Sequence, residues 1–286
     1  SKKVTDLVSI SPYSVPHGLN LSPLEKTYPL RHTTLKSAYY SAAFIIRKMT
    51  ACALDIDPSE LQISNLQQGY DVNDLNVGKI ILSDDLDNGS GFCKWLAQNP
   101  QGLDNILEQI NNHSTKDPVL LDLLSEKHVK DCDSSGYCCL QDYKNMSYHP
   151  ILDWRLGLTL LKVLADPSFQ CALISETERE LPYIKNLFED DHLLVDKFVH
   201  DYDCERKDIG ELAGFLIPGT NKHVLLIHPF WDLRNSRDEG LTATQLENSI
   251  LTTAIASMDS THEPLYIDSF NLLRRSTIAW SKFNAD

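Results

Sequence analysis

Between residues 132 and 139 the chain places three of its seven cysteines, Cys132, Cys138 and Cys139. They sit in the string Asp131-Cys132-Asp133-Ser134-Ser135-Gly136-Tyr137-Cys138-Cys139-Leu140, which is polar and turn-like. No other stretch restricts the fold as strongly, because so many thiols in a loop need either burial or a metal. A second turn, Asn88-Gly89-Ser90-Gly91-Phe92-Cys93, supplies a fourth cysteine. Four thiols on two short turns suit a structural zinc site, since zinc takes tetrahedral thiolate ligands and can hold two loops together. The candidate ligands are therefore Cys93, Cys132, Cys138 and Cys139. Their spacing is unusual, because paired zinc cysteines ordinarily have two residues between them. Here Cys132 and Cys138 have five between, and Cys138 and Cys139 are adjacent. His128 and His149 flank the loop and can substitute. The alternative is a set of reduced thiols packed as small hydrophobes.

The odd cysteine count in a chain of 286 residues points to a reducing compartment rather than a disulfide scaffold. No apolar run approaches the length of a membrane span, and no secretory signal pattern opens the sequence. A cytoplasmic protein is expected. The net charge of −14 argues against a free-standing DNA-binding domain, which is usually basic. Lys2-Lys3, Lys127 to Lys130 and Arg274-Arg275 are the evident basic clusters. The start at Ser1 fits a fragment or a processed chain.

Residues 1–30, with four prolines, read as an irregular lead-in. Leu35, Ala38, Tyr39, Ala42, Ile46, Met49 and Ala53 then recur at helical spacing and predict a helix over residues 34–54. A strand is expected at 79–83, and helices at 92–97, 103–110 and 120–126. Pro150 suits the first turn of a helix running to Ala165. The loop Asp84-Asp85-Leu86-Asp87-Asn88-Gly89-Ser90-Gly91 resembles a phosphate cradle, but its aspartates have the wrong sign, so a tight turn is expected. Asp166-Pro167 marks a boundary. Beyond it the pattern predicts a strand at 170–174 and a capping box at Ser175 and Glu178. Extended stretches follow at 193–200, 212–217 and 223–228, then a helix at 242–256 and a strand at 265–268.

The pieces "LSDDLDNGSGFC", "CDSSGYCCLQDYKNMSYHPILDWRLGL" and "IDSFNLLRR" resemble the MrfA-like zinc-binding domain. That domain lies near the C-terminal end of bacterial DEAD/DEAH-box helicases and in helicase-associated antiphage proteins of the DISARM and Druantia type. The likeness covers residues 31–165 and, more briefly, the tail. It implies metal ligands at Cys93, Cys132 and Cys139. The family's remaining ligand position falls on Gly136, which cannot ligate, and Cys138 is an extra cysteine two residues on. It further implies a helicase motor as partner, in cis or in trans, and contact with DNA through that complex.

The expected fold is α+β or α/β, with an α-rich zinc-binding-like domain (31–165) and a smaller α/β domain (166–286). The latter's order of helix, three strands, helix and strand is that of restriction-endonuclease-like nucleases, by analogy only. Glu211 precedes the second strand, but the third, from His223 to His228, holds no acid and no internal lysine to bind magnesium. Asn145 with His149 looks like catalytic chemistry, yet no nucleophile and base converge, and Asn145 and Asp153 read as a turn residue and a helix-start residue. No catalytic residue is expected, and no phosphate-binding glycine-lysine motif is present, so ATP hydrolysis belongs to a partner. Tyr137, Tyr143 and Tyr148, with Arg274 and Arg275, are the candidate DNA contacts. The reading is a non-catalytic accessory region or subunit of a DNA helicase. The alternatives are a metal-dependent nuclease or hydrolase using His228 and nearby acids in the C-terminal domain, and a protein-docking module without DNA contact.

Overall fold

A computed structural model describes residues 4–24, 29–98, 100–112, 115–169, 171, 191–210, 212–233 and 249–284. The strand expected at 170–174, the capping pair Ser175 and Glu178, Glu211 and the first part of the helix expected from 242 lie outside these residues. The fold is α+β, with helices and a small sheet in each of two compact units. The first unit comprises residues 1–16, 21–27 and 35–169, and the second 17–20, 28–34 and 170–286. Among the described residues no helix is long and apolar enough to cross a membrane.

In the first unit, β4 (Asn76–Asp84) is the strand every other strand pairs with, always antiparallel: β1 (Leu7–Ile10), β2 (Leu61–Ile63) and β3 (Gln67–Tyr70). The register sets Ile10 opposite Ile80 and Leu61 opposite Asp84. The lead-in thus contributes a strand rather than irregular chain alone. The long helix α1 (Pro29–Leu54) is buried all round its middle, at Tyr39, Ala42, Ala43, Phe44, Ile45, Ile46 and Met49, as a helix inside a core should be. Tyr39 ties it to the sheet: its hydroxyl donates to the Leu21 carbonyl at 2.8 Å and accepts the Gly78 N–H at 3.0 Å.

Five short helices follow: α2 (Phe92–Leu96), α3 (Leu103–Asn111), α4 (Pro118–Leu123), α5 (Glu126–Asp131) and, after a 3-10 segment at Tyr143–Ile151, α6 (Trp154–Ala165). Pro150 does not open α6. It lies inside the 3-10 segment, and Asp153 caps the helix instead, its carboxylate accepting the Leu156 N–H at 3.1 Å. A helix-starting side chain that bonds its own backbone outcompetes the proline signal here. α6 passes close to α1 at Gly157, where an added Cβ would stand 2.8 Å from the Ser41 backbone carbon. Only glycine permits that approach. The Asp153 N–H also donates to Ser41 Oγ at 2.8 Å.

The second unit holds α7 (Asp191–Asp201), β5 (Glu205–Arg206), β6 (Gly214–Leu216), β7 (Lys222–Ile227), α8 (Ser249–Ser257), β8 (Glu263–Asp268), α9 (Ser269–Arg274) and α10 (Ser276–Phe283). The sheet runs β5-β6-β7-β8, antiparallel except for the parallel β7–β8 pair. The stretch 193–200, expected to be extended, is helical. Its buried Val195 and Phe198 stand three apart, a helical spacing that places both in the core with Phe215, Val224, Leu226, Ile267 and Phe283. The tail is pinned by Asp268, which caps α9 through the Asn271 N–H at 2.9 Å and accepts the Thr34 hydroxyl at 3.1 Å.

Candidate metal centre

Ser125 caps α5 by accepting the His128 N–H at 3.2 Å. One turn later the helix ends at Cys132, whose N–H reaches the His128 carbonyl at 3.0 Å. Residues four apart on a helix share a face, so His128 and Cys132 point the same way. The chain then reverses at Gly136, whose carbonyl accepts the N–H groups of Cys139 and Gln141, each at 3.0 Å. This turn brings Cys138 and Cys139 back beside the helix end. One ligand atom from each of His128, Cys132, Cys138 and Cys139 lies within 4.8 Å of all the others. Three of the four side chains are buried and Cys138 is exposed. Such a His/Cys cluster can hold a metal ion.

The donor geometry fits zinc. The Cys132 and Cys139 sulfurs are 3.7 Å apart. Two sulfurs each about 2.3 Å from a tetrahedral zinc stand about 3.8 Å apart. The His128 Nδ1 faces the Leu123 carbonyl at 3.0 Å. A carbonyl only accepts, so Nδ1 is the donor there, which leaves Nε2 as the ring nitrogen a metal could take. Nε2 is buried. A metal-bound histidine is oriented in the same way, by donating its other ring nitrogen's proton to a backbone carbonyl. Electrostatics add to the fit. The Cys139 thiol is lowered to about 5 by the Cys132 thiol, against the effect of burial, with help from the Gly136 N–H, the His128 ring and the Leu140 N–H. Cys132 is raised by the same bond and by burial. The shared bond thus favours the anionic form at Cys139 and the neutral form at Cys132.

Two residues of α6 fasten this loop. Trp154 Nε1 donates to the Cys132 carbonyl at 2.9 Å, and its backbone N–H to the Ser134 carbonyl at 2.8 Å. Buried Arg155 donates to the carbonyls of Cys132 (2.8 Å), Asp133 (2.6 Å) and Val129 (2.7 Å). Its guanidinium lies 4.6 Å from the Trp154 ring, and that ring lies 4.9 Å from His128. The planar fork satisfies three carbonyls at the frayed end of α5 at once, which a lysine could not.

Cys93 does not join the cluster, which corrects the expectation that it would be a ligand. It is buried at the start of α2 beside Asp84. The Asp84 carboxylate accepts N–H groups from Ser90 (2.7 Å), Gly91 (2.7 Å), Phe92 (3.2 Å) and Cys93 (2.9 Å). Burial raises the Asp84 pKa, but bonds from Cys93, Ser90 and Gly91 outweigh it and hold the carboxyl below its ordinary value. Burial, together with this same carboxylate, pushes the Cys93 thiol up to about 12. A thiol kept neutral by an adjacent anion is the opposite of a metal ligand. The glycine-rich loop is accordingly a turn closed on the chain's own carboxylate.

His149 is held outside the cluster too, its Nε2 lying 3.0 Å from the Asp142 carbonyl and 2.8 Å from Asn145 Oδ1. Asn145 shapes the turn, accepting the Asp142 N–H at 2.9 Å and donating to the Leu140 carbonyl at 2.8 Å. Tyr137 and Tyr143 are exposed, at 69% and 82%. Tyr148 instead packs under the loop against Tyr40 (4.9 Å) and Phe44 (5.3 Å). Arg274 and Arg275 belong to the second unit, where Arg274 lies over Phe270 and Arg275 donates to Thr33 Oγ1 at 2.6 Å. His228 is buried, and its Nδ1 accepts the Phe230 N–H at 3.0 Å, a packed residue at the strand end.

Sequence reasoning held His128 and His149 equally as possible substitutes, although the four-residue spacing of His128 from Cys132 on a capped helix carries the signal that separates them. It gave Trp154 and Arg155 no role, because nothing in a linear sequence shows which carbonyls an arginine will reach. Comparison of the chain with protein-family models, with curated proteins and with solved structures finds no match.

Proposed function

We propose that the first unit is a zinc-stapled module in which His128, Cys132, Cys138 and Cys139 hold the metal. We also propose that the chain serves as a non-catalytic accessory or partner of an ATP-driven DNA helicase. The observation that carries the zinc reading is the convergence of four donor atoms around His128, with its Nδ1 fixed on Leu123 and its Nε2 left buried. Zinc, when bound, would supply a structural cross-link between the end of α5 and the turn at Gly136. The setting would be a reducing cytoplasm, where thiolates persist.

The accessory role is supported by the likeness to the MrfA-like zinc-binding domain and by two exposed tyrosines beside the candidate centre, Tyr137 and Tyr143. Zinc content of the purified protein tests the first part. Wild type and Cys93→Ser should carry equimolar zinc, and His128→Ala and Cys139→Ser should lose it. Zinc lost from Cys93→Ser but kept by His128→Ala would overturn this ligand set.

A further inference from the structure

Three of the four donors are buried and fixed from more than one side. His128 is held by its Leu123 contact and by the helix. Cys132 is held through its carbonyl by Trp154 and Arg155. The Cys139 sulfur accepts the Gly136 N–H at 3.3 Å, and its carbonyl accepts Lys48 Nζ. Cys138 differs in exposure: its side chain is open to solvent, although its sulfur bonds to Cys132 and Cys139 within the cluster. Its sulfur lies beside Gly136, where an added Cβ would stand 3.2 Å away, so the glycine leaves room next to it.

We infer that the centre is a three-plus-one site, in which Cys138 is the exchangeable ligand and the point where a soft electrophile attacks. This rests on the zinc reading above. The physical reason is access. A thiolate reacts according to its exposure as well as its charge, and a metal keeps sulfur deprotonated. In the step proposed, a lone pair of Cys138 Sγ forms an S–C bond to the electrophilic carbon, and the carbon–halogen bond breaks with halide leaving. The product is a neutral thioether, a weaker ligand than the thiolate. His128, Cys132 and Cys139 then hold the metal alone, and it passes more readily to a chelator. The site would thus report electrophile exposure as metal release, with Cys138 as the modified residue.

The test uses zinc-loaded full chain bearing Cys52→Ser, since Cys52 is also exposed. The protein is treated with iodoacetamide in the presence of a colorimetric zinc chelator. Alkylated cysteines are mapped by mass spectrometry at each time point. Cys138 should be modified about tenfold faster than Cys132 or Cys139, as exposure dictates. Zinc release should follow Cys138 modification in time, and Cys138→Ser should carry zinc at the start but release it no faster with reagent than without. First modification at Cys132 or Cys139 would overturn the proposal, as would full zinc retention after Cys138 is alkylated. Absence of zinc from the untreated protein would sink the zinc reading itself, so the two failures are distinguishable.

Discussion

Arg155 shows how much one side chain can do in this fold. It is buried, and its guanidinium donates to three backbone carbonyls. Removing it takes a charged donor from each of those carbonyls, and that of Cys132 keeps the Trp154 indole as a partner. Arg155→Ala should therefore cost about 3 kcal/mol, in the range for losing charged hydrogen bonds and stranding their acceptors. Urea unfolding checks that figure. Zinc affinity should fall about 10- to 100-fold, as for other residues that orient ligands from behind. Arg155→Lys should recover the charge and little of the affinity, because a point charge cannot match three divergent acceptors. Unchanged zinc affinity in both variants would show that the loop holds its shape unaided. At this scale, the sequence revealed the thiols but not their company. Cys93 has the same chemistry as Cys139, but burial and the neighbouring Asp84 raise the one while the Cys132 thiol lowers the other, and none of these neighbours is visible in the linear sequence.

Among the elements, helices with a strong apolar repeat were legible, as α1 shows by ending at Leu54 where the repeat stops. Elements whose apolar residues fit two periods were not. Leu193, Leu194, Val195, Phe198 and Val199 read as a strand by composition, and tertiary packing against Phe215 decides for a helix. Short strands such as Glu205–Arg206 carry no readable pattern, because they exist through pairing with β6 alone. β7 brings a titratable group with it. His223 is buried, with Nε2 set 2.8 Å from the Lys207 carbonyl. Burial lowers its pKa, aided by the charges of His262 and Lys207 and opposed by the Lys207 backbone bond and Asp208. The unfolded chain then binds a proton at higher pH than the folded one, so this residue's contribution is intact above its ordinary value near 6.5 and is lost as pH falls below it. Thermal melts of the wild type should fall in midpoint from pH 7 to pH 5. His223→Gln should flatten that slope, and an equal slope in both would assign the effect to other groups.

For the molecule as a whole, charge sets the limits of what it can bind unaided. With a net charge of −14, the chain should bind single-stranded DNA with a dissociation constant of about 10 μM or weaker near physiological salt. Fluorescence anisotropy with a labelled oligonucleotide measures this directly. If the accessory reading holds, affinity appears only with the motor present, and Tyr137→Ala with Tyr143→Ala weakens that complex through lost stacking of about 1–3 kcal/mol per base. Tight binding by the isolated chain would contradict the reading. The division into two units was visible near Asp166-Pro167, but the membership of residues 17–20 and 28–34 in the later unit was not. Such long-range pairings, like the Leu19 bridge to Trp231, leave no local trace in sequence. The fastening of the cysteine loop by Trp154 and Arg155 has a further consequence in time. A ribosome delivers His128 to Cys139 before it delivers the two residues that lock them. During synthesis the loop would meet any metal while still unbraced, so an ion captured early would be free to leave or to be replaced by a competitor. Once α6 has emerged and docked, Cys132 is held from behind by Trp154 and Arg155, and exchange would be confined to the exposed side of Cys138.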